Sequence, residues 1–294
     1  MRYQESFIDY LRYEKRYSPH TVTAYKNDLD QFVQFCTERV GDFHVKNVDV
    51  KLIRSWVVEL MGQKLSERSV NRKVSTIKSF YKFLMKENVI DNNPAVLLPL
   101  PKIRKKLPFF VEENNLQHLL DDGFFSEDFV GIRDKLIITL LYGTGIRLSE
   151  LLKLKELDVN QSESTIKVLG KRNKERVIPY PVSINKILNL YVNLKNETIG
   201  SNTERLLVTE SGKPAYEKLI YRVVKEYLAK VTLLEKKSPH VLRHTYATHL
   251  LNKGADLNAV KELLGHSNLA ATQVYTHTTF ERLHQIYKQA HPRG

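Results

Sequence analysis

Pro101-Lys-Ile-Arg-Lys-Lys-Leu-Pro-Phe-Phe110 holds four cations and no acid, and it follows Asn92-Asn93-Pro94 and Leu98-Pro99-Leu100. Prolines remove backbone donors and oppose helix, so the run reads as an extended linker. It divides a chain of 294 residues, the length of about two domains. The expected organisation is an N-terminal unit over 1–98, a basic linker over 99–110 and a C-terminal unit over 111–294. Of the net charge of +13, residues 1–100 carry +4, the ten linker residues +4 and residues 111–294 +5. That distribution favours a polyanionic partner. The linker is either a solvated hinge whose lysines touch nothing, or an arm in which Lys102, Arg104, Lys105 and Lys106 lie along a phosphate backbone.

Composition removes several classes. The apolar run Leu136–Tyr142 is far too short to cross a bilayer. One cysteine, Cys36, gives neither a disulfide framework nor a cysteine metal cluster. The polar, charged start lacks the pattern of a secretory signal. A cytoplasmic protein without membrane association is expected.

Before the linker the periodicity is helical. Phe7, Ile8 and Leu11 begin a first helix, and Ser18-Pro19 supplies a cap followed by proline at the first helical position. Val22, Tyr25, Leu29, Phe32 and Cys36 form one stripe. Asp49 and Ser66 are caps for a third and a fourth helix, the fourth burying Val70, Val74, Ile77, Tyr81 and Leu84. The result is a four-helix bundle. On the other side of the fourth helix stand Arg68, Arg72, Ser75, Ser79 and Lys82, cations and hydroxyls with no acid among them. Such a face suits phosphates and base edges; the plainer alternative is a solvated surface.

The second block is mostly helical, with one exception. Ser164–Gly170 and Arg176–Tyr180 are short β-branched runs around the basic tip Lys171-Arg-Asn-Lys-Glu175, a β-hairpin signal. Leu206–Thr209 is a candidate third strand. Helices are expected over 132–142, 148–155, 184–194, 216–230, 239–253, 257–264, 269–275 and 280–290. The fold class is therefore mainly α with a small β-sheet. Four places carry possible chemistry: Arg147 after Gly143-Thr-Gly145, Lys171 at the hairpin tip, His240 and Arg243 at i and i+3 on one helix, and His266 followed nine residues later by Tyr275. Each has a plainer reading. Arg147 suits an intrahelical pair with Glu150, Lys171 a solvated tip, and Tyr275 a packed phenol. His240 and His244 at i and i+4 invite zinc, but Val241 stands where a zinc protease helix carries glutamate and no third ligand is evident. No metal is expected.

Taken together, Leu141-Tyr-Gly-Thr-Gly-Ile-Arg-Leu-Ser-Glu-Leu151, Gly170-Lys-Arg-Asn-Lys-Glu-Arg176, Ser238-Pro-His-Val-Leu-Arg-His-Thr-Tyr-Ala-Thr-His-Leu-Leu251 and Leu263-Leu-Gly-His266 with Tyr275 resemble the tyrosine recombinase (phage integrase) family, in particular its Xer branch. The resemblance spans nearly the whole chain. It implies a helical, SAM-like core-binding domain followed by an α+β catalytic domain, with Arg147, Lys171, His240, Arg243, His266 and Tyr275 as the catalytic set and Tyr275 as nucleophile. The implied reaction cleaves and rejoins DNA through a 3′-phosphotyrosine and a Holliday junction, with no cofactor. Side-chain chemistry suits these roles. A phenol, ordinarily near pKa 10, needs a base, which an imidazole supplies. Two guanidinium forks can hold non-bridging oxygens, and a lysine can protonate the leaving 5′-oxygen. Arg172 stands where the family commonly has glycine and adds a DNA-facing cation at the tip. The implied partners are a double-stranded DNA core site and a homo-tetramer, or a hetero-tetramer with a paralogous recombinase, joined through the C-terminal helix. The implied roles are chromosome dimer resolution, hence chromosome partition at cell division, or integration and excision of a mobile element. A type IB topoisomerase-like enzyme and a non-catalytic DNA-binding protein are the rival readings.

If the linker arm lies on phosphates, replacing Lys102, Arg104, Lys105 and Lys106 with neutral residues flattens the salt dependence of DNA binding. The change is about 0.9 log-affinity units per log-salt unit for each phosphate no longer neutralised. Affinity titrations across salt check this, and an unchanged slope would show the linker charge to be idle.

Overall fold

The computed structural model describes residues 2–102, 109–121, 123–170, 175–200 and 203–265. The chain forms two compact units, Met1–Lys106 and Leu107–Gly294. Arg104, Lys105, Lys106, Lys171, Arg172, His266, Tyr275 and the helices expected over 269–275 and 280–290 lie outside the described residues.

In the first unit, α1 (Arg2–Asp9) runs on into a π-helical turn over Tyr10–Glu14, and α2 (Pro19–Val40), α3 (Val50–Gly62) and α4 (Glu67–Lys86) follow. The starts of α2, α3 and α4 are each fixed by a side-chain cap. Ser18 Oγ accepts from Thr21 N at 3.3 Å, Asp49 Oδ1 from Leu52 N at 2.8 Å, and Ser66 Oγ from Ser69 N at 3.3 Å. The inner stripe of α4, Val70, Val74, Ile77, Tyr81 and Leu84, is fully buried. Aromatic rings fill the centre, with Phe7 against Phe80 at 5.3 Å and Phe32 against Trp56 at 4.9 Å between centroids.

One tie between α2 and α4 is ionic. Asp28 is buried; its Oδ1 lies 3.1 Å from Lys73 Nζ, and its Oδ2 accepts from Thr76 Oγ1 at 3.0 Å and from Arg72 Nη1. Lys73 is itself buried and also donates to Gln31. The outer face of α4 is acid-free along its own length, but α2 brings an acid to it from behind.

The second unit contains α5 (Glu113–Asp121), α6 (Phe129–Thr144), α7 (Leu148–Leu151), β1 (Val159–Asn160), β2 (Thr165–Leu169), β3 (Glu175–Pro179), α8 (Ile184–Ile199), α9 (Glu217–Val231), α10 (Pro239–Asn252) and α11 (Leu257–Leu263). α6, capped by Asp128, packs on α8, α9 and α10. The sheet is antiparallel in the order β1-β2-β3, with Ile166 opposite Ile178 and Leu169 opposite Glu175.

Two sequence expectations need correction. The third strand is Val159–Asn160, not Leu206–Thr209. Leu206, Leu207 and Val208 are all buried, without the alternation of a half-exposed strand. They plug the core, with Leu206 N donating to Leu154 O at 2.8 Å and Ala215 N to Leu207 O at 3.0 Å. The helix expected over 148–155 ends at Leu151 for a related reason. Past Leu151 the backbone tightens into i to i+3 bonds, Lys153 N to Glu150 O at 3.1 Å and Leu154 N to Leu151 O at 3.3 Å, and Lys155 N turns to Asp158 Oδ2 at 2.9 Å, while Leu154 O accepts from Leu206 N.

Removing the acid from the α2–α4 tie strands a buried ammonium. Asp28→Ala is expected to cost about 3–5 kcal/mol, and Asp28→Ala with Lys73→Met to recover most of it. Urea unfolding measures both; equal losses in the single and double variants would contradict the pairing.

Candidate active site

α6 is closed by Gly145, the residue after its last turn, whose φ of +59° is left-handed. A Cβ there would stand 2.4 Å from Tyr246 Cδ1 and 3.0 Å from Leu264 Cδ2. Glycine thus lets the turn after α6 lie directly against α10 and the end of α11. Tyr246 is the buried floor of this contact, its phenol pushed up by burial.

The turn delivers Arg147 to the head of α7. Its backbone N donates to Glu150 Oε2 at 2.9 Å, its Nη1 to Glu150 Oε1 at 2.8 Å, and its Nη2 to Gly265 O at 2.8 Å. Arg243, from α10, donates to Gly145 O and, at 2.5 Å, to Leu264 O. A third guanidinium comes from β3. Arg176 takes both oxygens of Glu150, at 2.7 and 2.9 Å, and its Nε donates to Leu263 O at 3.2 Å. Three consecutive carbonyls, Leu263, Leu264 and Gly265, therefore receive one arginine each where α11 ends. Unpaired carbonyls at a helix C-terminus attract cations.

Among the described residues, three guanidiniums and one carboxylate leave an excess of two positive charges in a partly closed site. Burial alone would raise the carboxyl pKa of Glu150, but hydrogen bonds and charge from Arg176, then Arg147, outweigh it and hold the group at about 2. Arg243 is drawn down to about 10, first by burial and then by its like-charged neighbour Arg147. It remains a cation at neutral pH. The exposures differ in a useful way: the Arg147 side chain is 22% exposed and that of Arg176 only 6%. Arg147 and the half-buried Arg243 can meet a ligand, whereas Arg176 is sealed behind them.

His240, the second residue of α10, is exposed and stands three residues before Arg243. It shares a helix face with Arg243. The structure thus brings Arg147 and Arg243 together and sets His240 on the same helix as Arg243. Lys171, Arg172, His266 and Tyr275 lie outside the described residues, as do Arg104, Lys105 and Lys106; Lys102 is exposed. Among the described residues no group of three His, Cys, Asp or Glu stands ready to hold a metal ion. In the first unit Arg68, Arg72, Ser75 and Lys82 are exposed or half-exposed and Ser79 is half-buried. The hydroxyls of Ser75 and Ser79 donate back to Asn71 O and Ser75 O, at 2.8 and 2.9 Å, so their oxygens remain available as acceptors.

Sequence reasoning anticipated the Arg147–Glu150 pair as a plain intrahelical contact and missed Arg176 and Asp28. A signal for Arg176 exists. In β3 the buried positions include Arg176 and Ile178, with Glu175 and Val177 exposed. An arginine at inward parity requires a buried carboxylate.

Comparisons with known proteins agree with this architecture. Residues 110–282 match the model of the phage integrase family, and residues 5–88 match that of the phage integrase N-terminal SAM-like domain. Tyrosine recombinase XerC of Oceanobacillus iheyensis is 40% identical, the alignment covering 99% of this chain and 96% of that protein. XerC of Anoxybacillus flavithermus is 38% identical, with 98% and 97% covered. The XerH site-specific recombinase bound to palindromic difH substrate has a similar fold, with TM-score 0.73 and 24% identity over 96% of this chain and 82% of that one. So does the Tn1549 transposon integrase in complex with circular intermediate DNA, with TM-score 0.71 and 20% identity over 95% and 98%.

Because Glu150 has its folded pKa below the ordinary 4.5, its contribution to stability is complete above that value and is lost as pH falls toward 2. Glu150→Gln is therefore expected to be markedly less stable than the parent chain at pH 7, with the gap closing as pH falls from about 5 to 2. Thermal unfolding across pH measures this; a gap independent of pH would contradict the charge pairing.

Proposed function

This chain belongs to the phage integrase family, and from that membership we propose that its arginine cluster receives the scissile phosphate of a duplex DNA site. The protein is a site-specific tyrosine recombinase. The observation that supports this use of the cluster is the convergence of Arg147 and Arg243, two partly open guanidiniums on adjoining carbonyls, in a site with positive charge to spare.

In this reading Arg147 and Arg243 hold the non-bridging oxygens and stabilise the charge that grows on them. The Tyr275 oxygen attacks phosphorus, the bond from phosphorus to the 5′-oxygen breaks, and a 3′-phosphotyrosine forms. His240 takes the phenol proton and Lys171 delivers a proton to the leaving 5′-oxygen. His266 donates a hydrogen bond to the phosphate or braces the site. The intermediate keeps the energy of the broken ester, so the second transesterification needs no nucleotide. Strand exchange passes through a Holliday junction.

Around this chemistry, Arg68, Arg72, Ser75, Ser79 and Lys82 on α4 are assigned to DNA contact, with Lys102, Arg104, Lys105, Lys106 and Arg172. The working assembly is a tetramer on two synapsed core sites, homomeric or shared with a paralogous recombinase, held through the C-terminal helix. Its place is in the cytoplasm, in chromosome dimer resolution or in moving an element. Among the described residues no helix is long and apolar enough to cross a membrane.

A nicked suicide duplex carrying the core site tests the reading. The parent chain is expected to form a covalent protein–DNA adduct on it, and exchanged strands from a supercoiled plasmid carrying two intact copies of the site, and Tyr275→Phe to form neither while still binding. An adduct accompanied only by relaxed plasmid would indicate a topoisomerase, and no adduct on a site that is bound would indicate a binding protein.

A further inference from the structure

Arg176 belongs to none of the roles above, yet its guanidinium makes more hydrogen bonds to side chains of the site than the guanidinium of either phosphate-facing arginine. Its side chain is 6% exposed, and a Cβ on Gly265 would come within 3.2 Å of its Nε and Nη1. The seat is tight and closed, so Arg176 does not reach DNA itself.

Its effect runs through Glu150. Among the described residues Glu150 is the one acid hydrogen-bonded to guanidiniums of this cluster, those of Arg147 and Arg176. A carboxylate left with one arginine closes into a two-bond fork and cancels its charge. Here Arg176 has taken that geometry, facing both carboxylate oxygens. Arg147 is left with a single side-chain bond to Glu150, the other oxygen being met by its backbone N, and its Nη2 is turned to Gly265 O.

We propose that Arg176 is a positioning residue that occupies Glu150 so that the charge and fork of Arg147 stay free for the scissile phosphate. This rests on the reading of Arg147 as a phosphate ligand. Removing Arg176 frees Glu150 to close on Arg147, which neutralises the clamp from within. The specific consequence is that losing Arg176 is worse while Glu150 is charged than when it is not.

The test uses the full chain on the suicide duplex, reading non-covalent DNA affinity and the rate of adduct formation separately. Arg176→Gln is expected to bind DNA nearly as the parent does but to form adduct about 100-fold more slowly, the scale of losing one charge-stabilising donor. Arg176→Gln with Glu150→Gln is expected to regain about tenfold of that rate, a non-additivity that simple loss of packing does not produce. If Arg176→Gln does not fold, Arg176→Lys carries the same test. Its point charge cannot hold both oxygens, so the rate falls, and adding Glu150→Gln raises it. A parent-like rate in the single variant, or a double variant no faster than the single, would overturn the proposal. Arg147→Ala tests the underlying reading on its own: a parent-like rate there would mean Arg147 does not serve the phosphate, whatever Arg176 does.

Discussion

The catalytic unit is organised around one buried carboxylate. Glu150 joins the head of α7 to β3 through Arg147 and Arg176, while α11 closes the far side by presenting the carbonyls of Leu263, Leu264 and Gly265. Segments distant in sequence thus meet at a few polar atoms. A buried carboxylate is costly unless fully paired, and Glu150 is fully paired only if β3 and the head of α7 are both in place, with the end of α11 holding the two arginines that face it. The same interaction that assembles the site leaves it with more cations than anions. Folding energy is spent in holding like charges together, a repulsion that the phosphate proposed to bind there would relieve.

A similar arrangement recurs in the first unit. Asp28 is buried and shared between the sealed Lys73 and the half-exposed Arg72. In both units an acid is enclosed between a buried cation and one that reaches the surface. The buried cation offsets the acid, and the outer arginine is oriented without being fully neutralised. For a protein that handles a polyanion this solves a common problem. A free surface arginine carries charge but little direction, and one in an isolated ion pair carries direction but little charge.

Much of this organisation is legible in the sequence because it rests on short-range rules. Caps at Ser18, Asp49 and Ser66 each start a helix where the polar side chain can take an unpaired amide. The hairpin follows from β-branched runs around a basic tip, and Arg147, His240 and Arg243 stand out through ordered motifs. What escapes is what depends on long-range pairing. Leu206–Val208 looks like a strand because a buried plug and a buried strand share composition; only the partners at Leu154 and Ala215 distinguish them. Asp28 looks like one more polar residue on α2, since its cations arrive from a helix more than forty residues later. Arg176 looks like the unremarkable start of the run that follows the basic tip until strand parity turns it inward.

In the proposed DNA complex the phosphate enters between Arg147 and Arg243 while Glu150 stays with Arg176. The most direct measurement is a crystal structure of the Tyr275→Phe chain on its duplex core site. Non-bridging oxygens of the scissile phosphate are expected within hydrogen-bond reach of Arg147 and Arg243, with both oxygens of Glu150 still on Arg176. A phosphate seated on Arg176, or a Glu150 that has closed on Arg147 in the DNA complex, would contradict it.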